Sequence, residues 1–197
     1  MNSILQMADA NQRRAWDIIK KTNVIEIWKS VGAEINLVGS LRMGLLMKHR
    51  DIDFHIYTDP FQLADSFKAL ARLAEDKHIK QITYCNFLQE KDTCVQWQAI
   101  YEDEGGERWQ IDMVHIIKGS YYDGYFERMA DGIKSVLTSD TRQAILQLKH
   151  DTPETEHIMG MEYYQAVIRD GVRTMDEFVQ WRKAHPVEGI IEWIPQL

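Results

Sequence analysis

The residues Asp51-Ile52-Asp53 begin an apolar segment that continues to Tyr57. Successive side chains of a strand point to opposite faces of the sheet, so two residues at positions i and i+2 project from the same face. Two neighbouring carboxylates raise the energy of each other's charged form unless a cation compensates for them. The triplet therefore predicts a strand that carries half of a divalent-metal site.

Apolar periodicity predicts the elements of the N-terminal half. Helical spacing predicts one long or one broken helix from Ser3 to Val31, and two short apolar runs predict strands at 34–38 and 52–57. The dipeptide Asp59-Pro60 is typical of the N-cap and the first turn of a helix, which we expect to continue to residue 74.

The second half of the sequence changes from strands to helices. Runs rich in β-branched and aromatic residues predict strands at 79–88, 94–101 and 108–116, with the last two joined as an antiparallel hairpin. Helical spacing then predicts helices at 125–137, 140–149, 153–169 and 175–184, the third capped by Thr152 and the fourth by Thr174. We expect an α+β (α/β) fold, a mixed β-sheet flanked by helices, with a core over residues 1–120 and an all-helical C-terminal region over residues 121–197 packed on it.

Composition limits the classes of partner. The formal net charge is −7, from 23 Lys and Arg against 30 Asp and Glu, and non-specific binding of nucleic acid depends on a basic face. We therefore expect a small or nucleotide-sized substrate, with nucleic acid an unlikely partner. Two cysteines give no disulfide framework, and neither a signal peptide nor an apolar run of membrane length is present. These features predict a cytoplasmic protein that does not contact a membrane.

A third carboxylate is expected from a later strand. In the segment Trp109–His115, Asp112 alternates with apolar residues that would point into the core. An aspartate inside such a strand is costly unless it has a partner. We therefore predict that Asp112 faces Asp51 and Asp53, and that the three carboxylates hold Mg²⁺, which prefers oxygen ligands.

The Gly39-Ser40 pair, at the end of the first predicted strand, is a candidate phosphate site. Glycine lets a backbone approach a phosphate closely, and a short helix that begins there would direct its N–H groups and the Ser40 hydroxyl at phosphate oxygens. Arg42 and Lys48 are further candidates for binding the nucleotide.

This arrangement resembles the DNA polymerase β-like nucleotidyltransferase superfamily. The motif consists of Gly39-Ser40, then ten residues, then Asp51-Ile52-Asp53, then the distant Asp112. The spacing is similar to that of small single-domain members, and the residues that precede Asp51 resemble those of antibiotic nucleotidyltransferases. The resemblance covers about residues 33 to 117 and is specific as a three-part motif.

The resemblance implies an activity as well as a fold. It implies that the core is nucleotidyltransferase-like, that Asp51 and Asp53 hold two Mg²⁺ ions, and that Asp112 is a third ligand or the base for the acceptor hydroxyl. The reaction would transfer a nucleoside monophosphate from ATP or another nucleoside triphosphate to the hydroxyl of a small-molecule or protein acceptor and release pyrophosphate. The alternative is a weak or inactive binding or regulatory protein on the same fold, such as a component of a toxin–antitoxin pair.

Three features of the sequence each allow two interpretations. His55 continues the face of the aspartate pair and could contact substrate, although packing beside the sheet is favoured. The aromatic residues 121–125 could stack on a nucleobase or form the joint to the helical region, and the joint is favoured. The apolar segment 190–195 is expected to dock on its own domain or on a second subunit of a homodimer.

Overall fold

The computed structural model describes residues 3–196. Its α-helices are α1 (Ser3–Thr22), α2 (Val24–Lys29), α3 (Gly39–Met43), α4 (Leu63–Leu73), α5 (Tyr125–Val136), α6 (Ser139–Asp151), α7 (Gly160–Tyr164) and α8 (Met175–Ala184). A π-helical turn, Gln165–Arg169, continues α7. The strands are β1 (Glu34–Val38), β2 (Asp51–Tyr57), β3 (Ile79–Asn86), β4 (Cys94–Glu102) and β5 (Arg108–Ile116).

The five strands form one mixed sheet in the order β1-β2-β5-β4-β3. Strands β2 and β5 are parallel, whereas the other three pairs are antiparallel. The helices that follow β5 build the C-terminal part of the chain. The α+β prediction, with a mixed sheet and a helical C-terminal third, is confirmed.

Two hydrophobic clusters hold these elements together. The first lies between the sheet and helices α1, α2 and α4, and includes Trp28, Phe54 and Trp109. The second joins the start of α1 and the residues after α3 to helices α5, α6, α7 and α8, and includes Leu45 and Phe178. The division of the chain at residue 120 stays a prediction. In residues 3–196 no helix is long and apolar enough to cross a membrane.

Two predicted helix starts are wrong. Asp59-Pro60 does not cap α4, which begins at Leu63 after Gln62, because Phe61 packs against the buried ring of His115 and keeps the chain out of the helix. Thr152 does not begin a helix either. It ends α6, where its hydroxyl donates to the Leu148 carbonyl.

Other boundaries agree with the prediction or refine it. The N-terminal helix is broken at Asn23, which adopts a left-handed conformation with φ of 54°. The hairpin of β4 and β5 and the Thr174 cap of α8 are confirmed.

The aromatic residues after β5 hold the C-terminal segment. The hydroxyls of Tyr121 and Tyr122 donate to Glu192 at 2.8 and 2.9 Å, and Lys91 pairs with the same carboxylate at 2.9 Å. Ile194 packs against Gly132 of α5. The segment therefore docks on its own chain, and the role of residues 121–125 as the joint to the helical region stays a prediction.

Candidate active site

Three aspartates meet on one face of the sheet. The parallel register of β2 and β5 pairs Asp53 with Asp112, and Asp51 lies two residues before Asp53 on the same strand. All three line a cavity of about 340 Å³ between the sheet and helices α3, α5 and α7. The apolar neighbours Ile111 and Met113 of Asp112 are buried on the opposite face, as the alternation predicted.

The charge of the three carboxylates is under-compensated. Burial raises the pKa of Asp53 to about 8, and the neighbouring charges of Asp112 and Asp51 add to this effect. Burial also raises the pKa values of Asp51 and Asp112. His49 and Lys149 oppose the shift of Asp51, and Lys149 opposes that of Asp53. A half-buried group of like charges with so little compensation is an environment in which a cation binds favourably.

The donor set fits Mg²⁺ in its chemistry, since all the donors are carboxylate oxygens. As the side chains stand, no group of three or more His, Cys, Asp or Glu within residues 3–196 is positioned to hold a metal ion. Asp112 is engaged elsewhere, because its two oxygens accept hydrogen bonds from Gln98 at 3.3 Å and from Gln110 at 2.7 Å. A metal would therefore compete with these amides for Asp112.

Gly39 allows the sheet to bring Asp53 this close to the first strand. Its φ of +65° lies in the left-handed region, and a Cβ added at this position would overlap the Asp53 carboxylate. Any larger residue would displace the aspartate or the loop. The glycine of the Gly-Ser pair thus has a structural role towards the carboxylate in addition to the predicted approach to phosphate.

The cation of the site comes from the helical region. Lys149, in the last turn of α6, donates to the Ser40 hydroxyl at 2.9 Å, to the Leu45 carbonyl at 3.1 Å and to the Tyr164 hydroxyl at 3.0 Å. Ser40 and Tyr164 are also within 3.0 Å of each other. An ammonium group, two hydroxyls and the short helix α3 therefore meet beside Asp51, where a phosphate could replace these internal contacts.

Neither a protein-family model nor a curated protein matches this sequence. Solved structures do match. A cytoplasmic RNA terminal U-transferase aligns with a TM-score of 0.54 at 11% identity, over 84% of this chain and 51% of that chain. The Cid1 poly(U) polymerase bound to MgGTP aligns with a TM-score of 0.54 at 16% identity, over 85% of this chain and 50% of that one.

The polymerase core of TRAMP, an RNA surveillance complex, aligns with a TM-score of 0.50 at 11% identity, over 85% of this chain and 57% of that chain. These proteins are DNA polymerase β-like nucleotidyltransferases. The chain has the nucleotidyltransferase fold. It spans about half the length of the solved structures that it matches.

On this nucleotidyltransferase fold, the two basic residues predicted for the nucleotide lie in different places. Arg42 binds both oxygens of Asp131 at 2.8 Å and donates to the Leu37 carbonyl, and it does not line the carboxylate cavity. Lys48 donates to the Thr152 carbonyl at 2.6 Å and lines a smaller adjoining cavity with Asp51 and Lys149.

Lys149 and Tyr164 are the site residues that the sequence did not indicate. A lysine in the last turn of a helix is ordinary, because it interacts favourably with the helix dipole. Its 109-residue separation from Ser40 leaves no local signal in the sequence. Only the packing of α6 against the residues around α3 brings Lys149 into the candidate site.

His55 both lines the cavity and packs beside the sheet. It is 7% exposed, and its ring contacts Phe126 of α5 edge-on at 5.2 Å. Glu127 lies behind it, with Oε2 at 3.7 Å from His55 Nδ1 and Oε1 accepting from the Tyr57 hydroxyl at 2.9 Å. His55 therefore packs beside the sheet, as one interpretation expected, and also lines the cavity, as contact with a substrate would require.

Proposed function

We propose that this protein is a Mg²⁺-dependent nucleotidyltransferase that moves a nucleoside monophosphate from a nucleoside triphosphate to an acceptor hydroxyl and releases pyrophosphate. The observation that carries the proposal is the meeting of Asp51, Asp53 and Asp112 in one cavity, with Ser40 and Lys149 beside it. The fold neighbours, among them the Cid1 poly(U) polymerase bound to MgGTP, support this class of reaction.

On the donor side, Ser40 and Lys149 bind the β- and γ-phosphates. The Lys149 ammonium, which donates to hydroxyl and carbonyl oxygens, exchanges these contacts for charged phosphate oxygens, which form stronger hydrogen bonds. Asp51, Asp53 and Asp112 would hold Mg²⁺, which neutralises charge on the triphosphate and stabilises the charge that develops on the transferred group.

The remaining work of the site is to position the reactants. The oxygen–phosphorus bond between the α-phosphate and the leaving pyrophosphate breaks while the acceptor oxygen bonds to the α-phosphorus. The attacking and leaving oxygens must be roughly in line. Asp112 is the candidate base for the acceptor proton. Its bonds to Gln98 and Gln110 fix the orientation of its carboxylate.

Two kinds of molecule are candidates for the acceptor. The net charge of −7 supports a small molecule or a protein hydroxyl. The solved structures of similar fold include an RNA terminal U-transferase and a poly(U) polymerase, which supports an RNA 3′ hydroxyl instead. We retain the small-molecule or protein acceptor as the first candidate and RNA as the second.

A regulatory protein that binds nucleotide without transferring it is the third candidate. It is favoured by the hydrogen bonds that hold Asp112 away from a common metal position. Binding of Mg-nucleotide with no transfer to any acceptor would support this candidate.

The test is incubation of the full chain with each of the four α-labelled ribonucleoside triphosphates and Mg²⁺. The acceptors are a cell extract passed through a small-molecule cut-off, the retained proteins and total RNA, supplied separately. We expect pyrophosphate release and label in one fraction, and loss of both in Asp51→Asn. Label in the RNA fraction alone would select the second candidate, and no label anywhere would contradict the proposal.

A further inference from the structure

Beyond the three aspartates, the cavity is lined by His55, which forms with Glu127 behind it a polar pair that the donor side does not use. His55 is buried and Glu127 is half-buried, and His55 Nδ1 and Glu127 Oε2 are buried atoms without a hydrogen-bond partner among the described residues. The two atoms are 3.7 Å apart, which is longer than a hydrogen bond. Buried polar atoms that stay unpaired are costly and call for an explanation.

Glu127 is fixed from the side opposite to His55. The Tyr57 hydroxyl donates to Glu127 Oε1 at 2.9 Å and itself accepts from the Gly124 N–H at 3.1 Å. A small rotation of either side chain closes the gap between His55 Nδ1 and Glu127. That bond would place the proton on Nδ1 and leave Nε2 as the nitrogen available to a ligand, as an acceptor.

The strand register places His55 on the side of Asp53 that faces away from the phosphate groups. Strand β1 runs antiparallel to β2, pairs Asn36 with His55 and ends at Val38 beside Asp53. The chain then continues past Asp53 in the direction of Asp51, where Ser40 and Lys149 lie. Ser40 and His55 therefore lie on opposite sides of Asp53.

The reaction geometry assigns an occupant to the His55 side. Pyrophosphate leaves towards Ser40 and Lys149, and the attacking oxygen approaches from the side opposite to the leaving oxygen. Val114 pairs with His55 in the sheet, Gln96 pairs with Val114, and the ring of Phe126 contacts His55. These residues and Met129 of α5 give the cavity a mainly apolar lining, and none of its described lining residues is a lysine or arginine. Such a lining suits an uncharged group better than a phosphate.

We propose that His55 binds the acceptor, accepting a hydrogen bond from a non-reacting hydroxyl group carried on an apolar body, and that Glu127 is the positioning residue that orients the ring. The proposal rests on the proposed nucleotidyl transfer and names the acceptor class for the same site. It predicts a contact that no donor nucleotide makes.

The test uses the full chain with ¹⁵N-labelled histidine side chains and observes the ring nitrogens of His55 by NMR. The first probe is α,β-methylene-ATP with Mg²⁺. The second probe, added to that complex, is benzyl alcohol. Benzyl methyl ether is the matched control, because it retains the aromatic body and the oxygen but lacks the O–H donor.

We expect the nucleotide to shift the backbone signal of Ser40 and to leave the His55 ring nitrogens nearly unchanged. Benzyl alcohol should then shift His55 Nε2, whereas the ether should not. Glu127→Gln should weaken the binding of benzyl alcohol by about two- to tenfold, the effect of one neutral hydrogen bond, and Glu75→Gln, at an exposed position, should not change it.

Three results would overturn the inference: a shift of His55 by the nucleotide alone, equal shifts by the alcohol and the ether, or no shift by either. Failure of the nucleotide to move Ser40 is a separate result, because it contradicts the proposed donor site and leaves the response of His55 to the alcohol readable. His55→Gln should abolish the response to the alcohol and preserve the nucleotide shift at Ser40.

Discussion

Replacing Asp53 with asparagine should stabilise the metal-free protein. Asp53 is half-buried beside two other carboxylates, and desolvation and their charges raise its pKa from 3.8 to about 8. In the native protein it must therefore hold a proton, or bear an unfavourable charge, at pH values where the unfolded chain is already ionised. Asparagine has almost the same shape and no charge, so Asp53→Asn removes this penalty.

The size of the stabilisation by Asp53→Asn follows from the shift in the pKa of Asp53. Between the unfolded pKa of 3.8 and pH 7, each pH unit costs about 1.36 kcal/mol of unfolding free energy. The upper limit at pH 7 is therefore about 4 kcal/mol. Part of it is lost because the new amide is itself buried. We therefore expect a net gain of about 1–2 kcal/mol, or a rise in Tm of roughly 2–8 °C for a domain of this size.

The direction of the pKa shift also determines how the effect of Asp53→Asn on stability depends on pH. Because the native pKa of Asp53 is the higher one, the native state binds more protons than the unfolded state between pH 4 and pH 8. The contribution of Asp53 to the unfolding free energy therefore falls through this window as pH rises, and Asp53→Asn removes that contribution. The advantage of the variant should be small near pH 4 and largest near pH 8.

The assay is urea denaturation in EDTA at pH 5 and pH 7.5, followed by circular dichroism. Asp17→Asn is the matched control, because Asp17 is exposed on α1, and its unfolding free energy should change by less than about 0.5 kcal/mol. A destabilised Asp53→Asn at pH 7.5, or a gain that is the same at both pH values, would refute the reasoning.

Three further predictions concern other parts of the chain. Gly39→Ala should destabilise the protein by more than about 1 kcal/mol in urea denaturation and abolish Mg-nucleotide binding, because a Cβ at this position overlaps Asp53. The control Gly106→Ala, with φ of +79° and open space around it, should cost backbone strain alone. Lys149→Met should weaken ATP binding by about 10- to 100-fold, the effect of one charged hydrogen bond, and leave adenosine binding unchanged in the same calorimetric titration; equal losses for both ligands would contradict a phosphate contact. Burial lowers the pKa of His115 to about 4, so the contribution of His115 to the unfolding free energy should fall by up to about 3 kcal/mol as pH falls from 6.5 to 4. In urea denaturation, the unfolding free energy of His115→Gln should therefore rise relative to that of the wild type over this range; a difference that does not change with pH would contradict it.

Local patterns were sufficient for the elements and for the carboxylates. Period-two alternation placed Asp51, Asp53 and Asp112 opposite the buried positions of their strands, and the structure brings them to one cavity. The same rules failed where a distant contact decided the local conformation. Phe61 packs on His115, so the Asp59-Pro60 signal did not begin a helix.

The rest of the candidate site is tertiary. Lys149 reaches Ser40 because α6 packs against the loop after α3, and Gln98 reaches Asp112 because β4 pairs with β5 in one register. Neither contact can be detected from the periodicity of the sequence or from a motif. The contact between Glu127 and His55 is likewise tertiary, because it depends on the packing of α5 on β2.

The most direct test of the central claim is calorimetric titration of the full chain with α,β-methylene-ATP, with and without Mg²⁺, for the wild type and Asp53→Asn. We expect the wild type to bind only when Mg²⁺ is present. The variant, although it folds and is the more stable protein in EDTA, should lose that binding by on the order of 100-fold, the effect of one charged ligand. Equal affinities of the two proteins, or binding that does not depend on Mg²⁺, would contradict the assignment of the three carboxylates as a metal–nucleotide site.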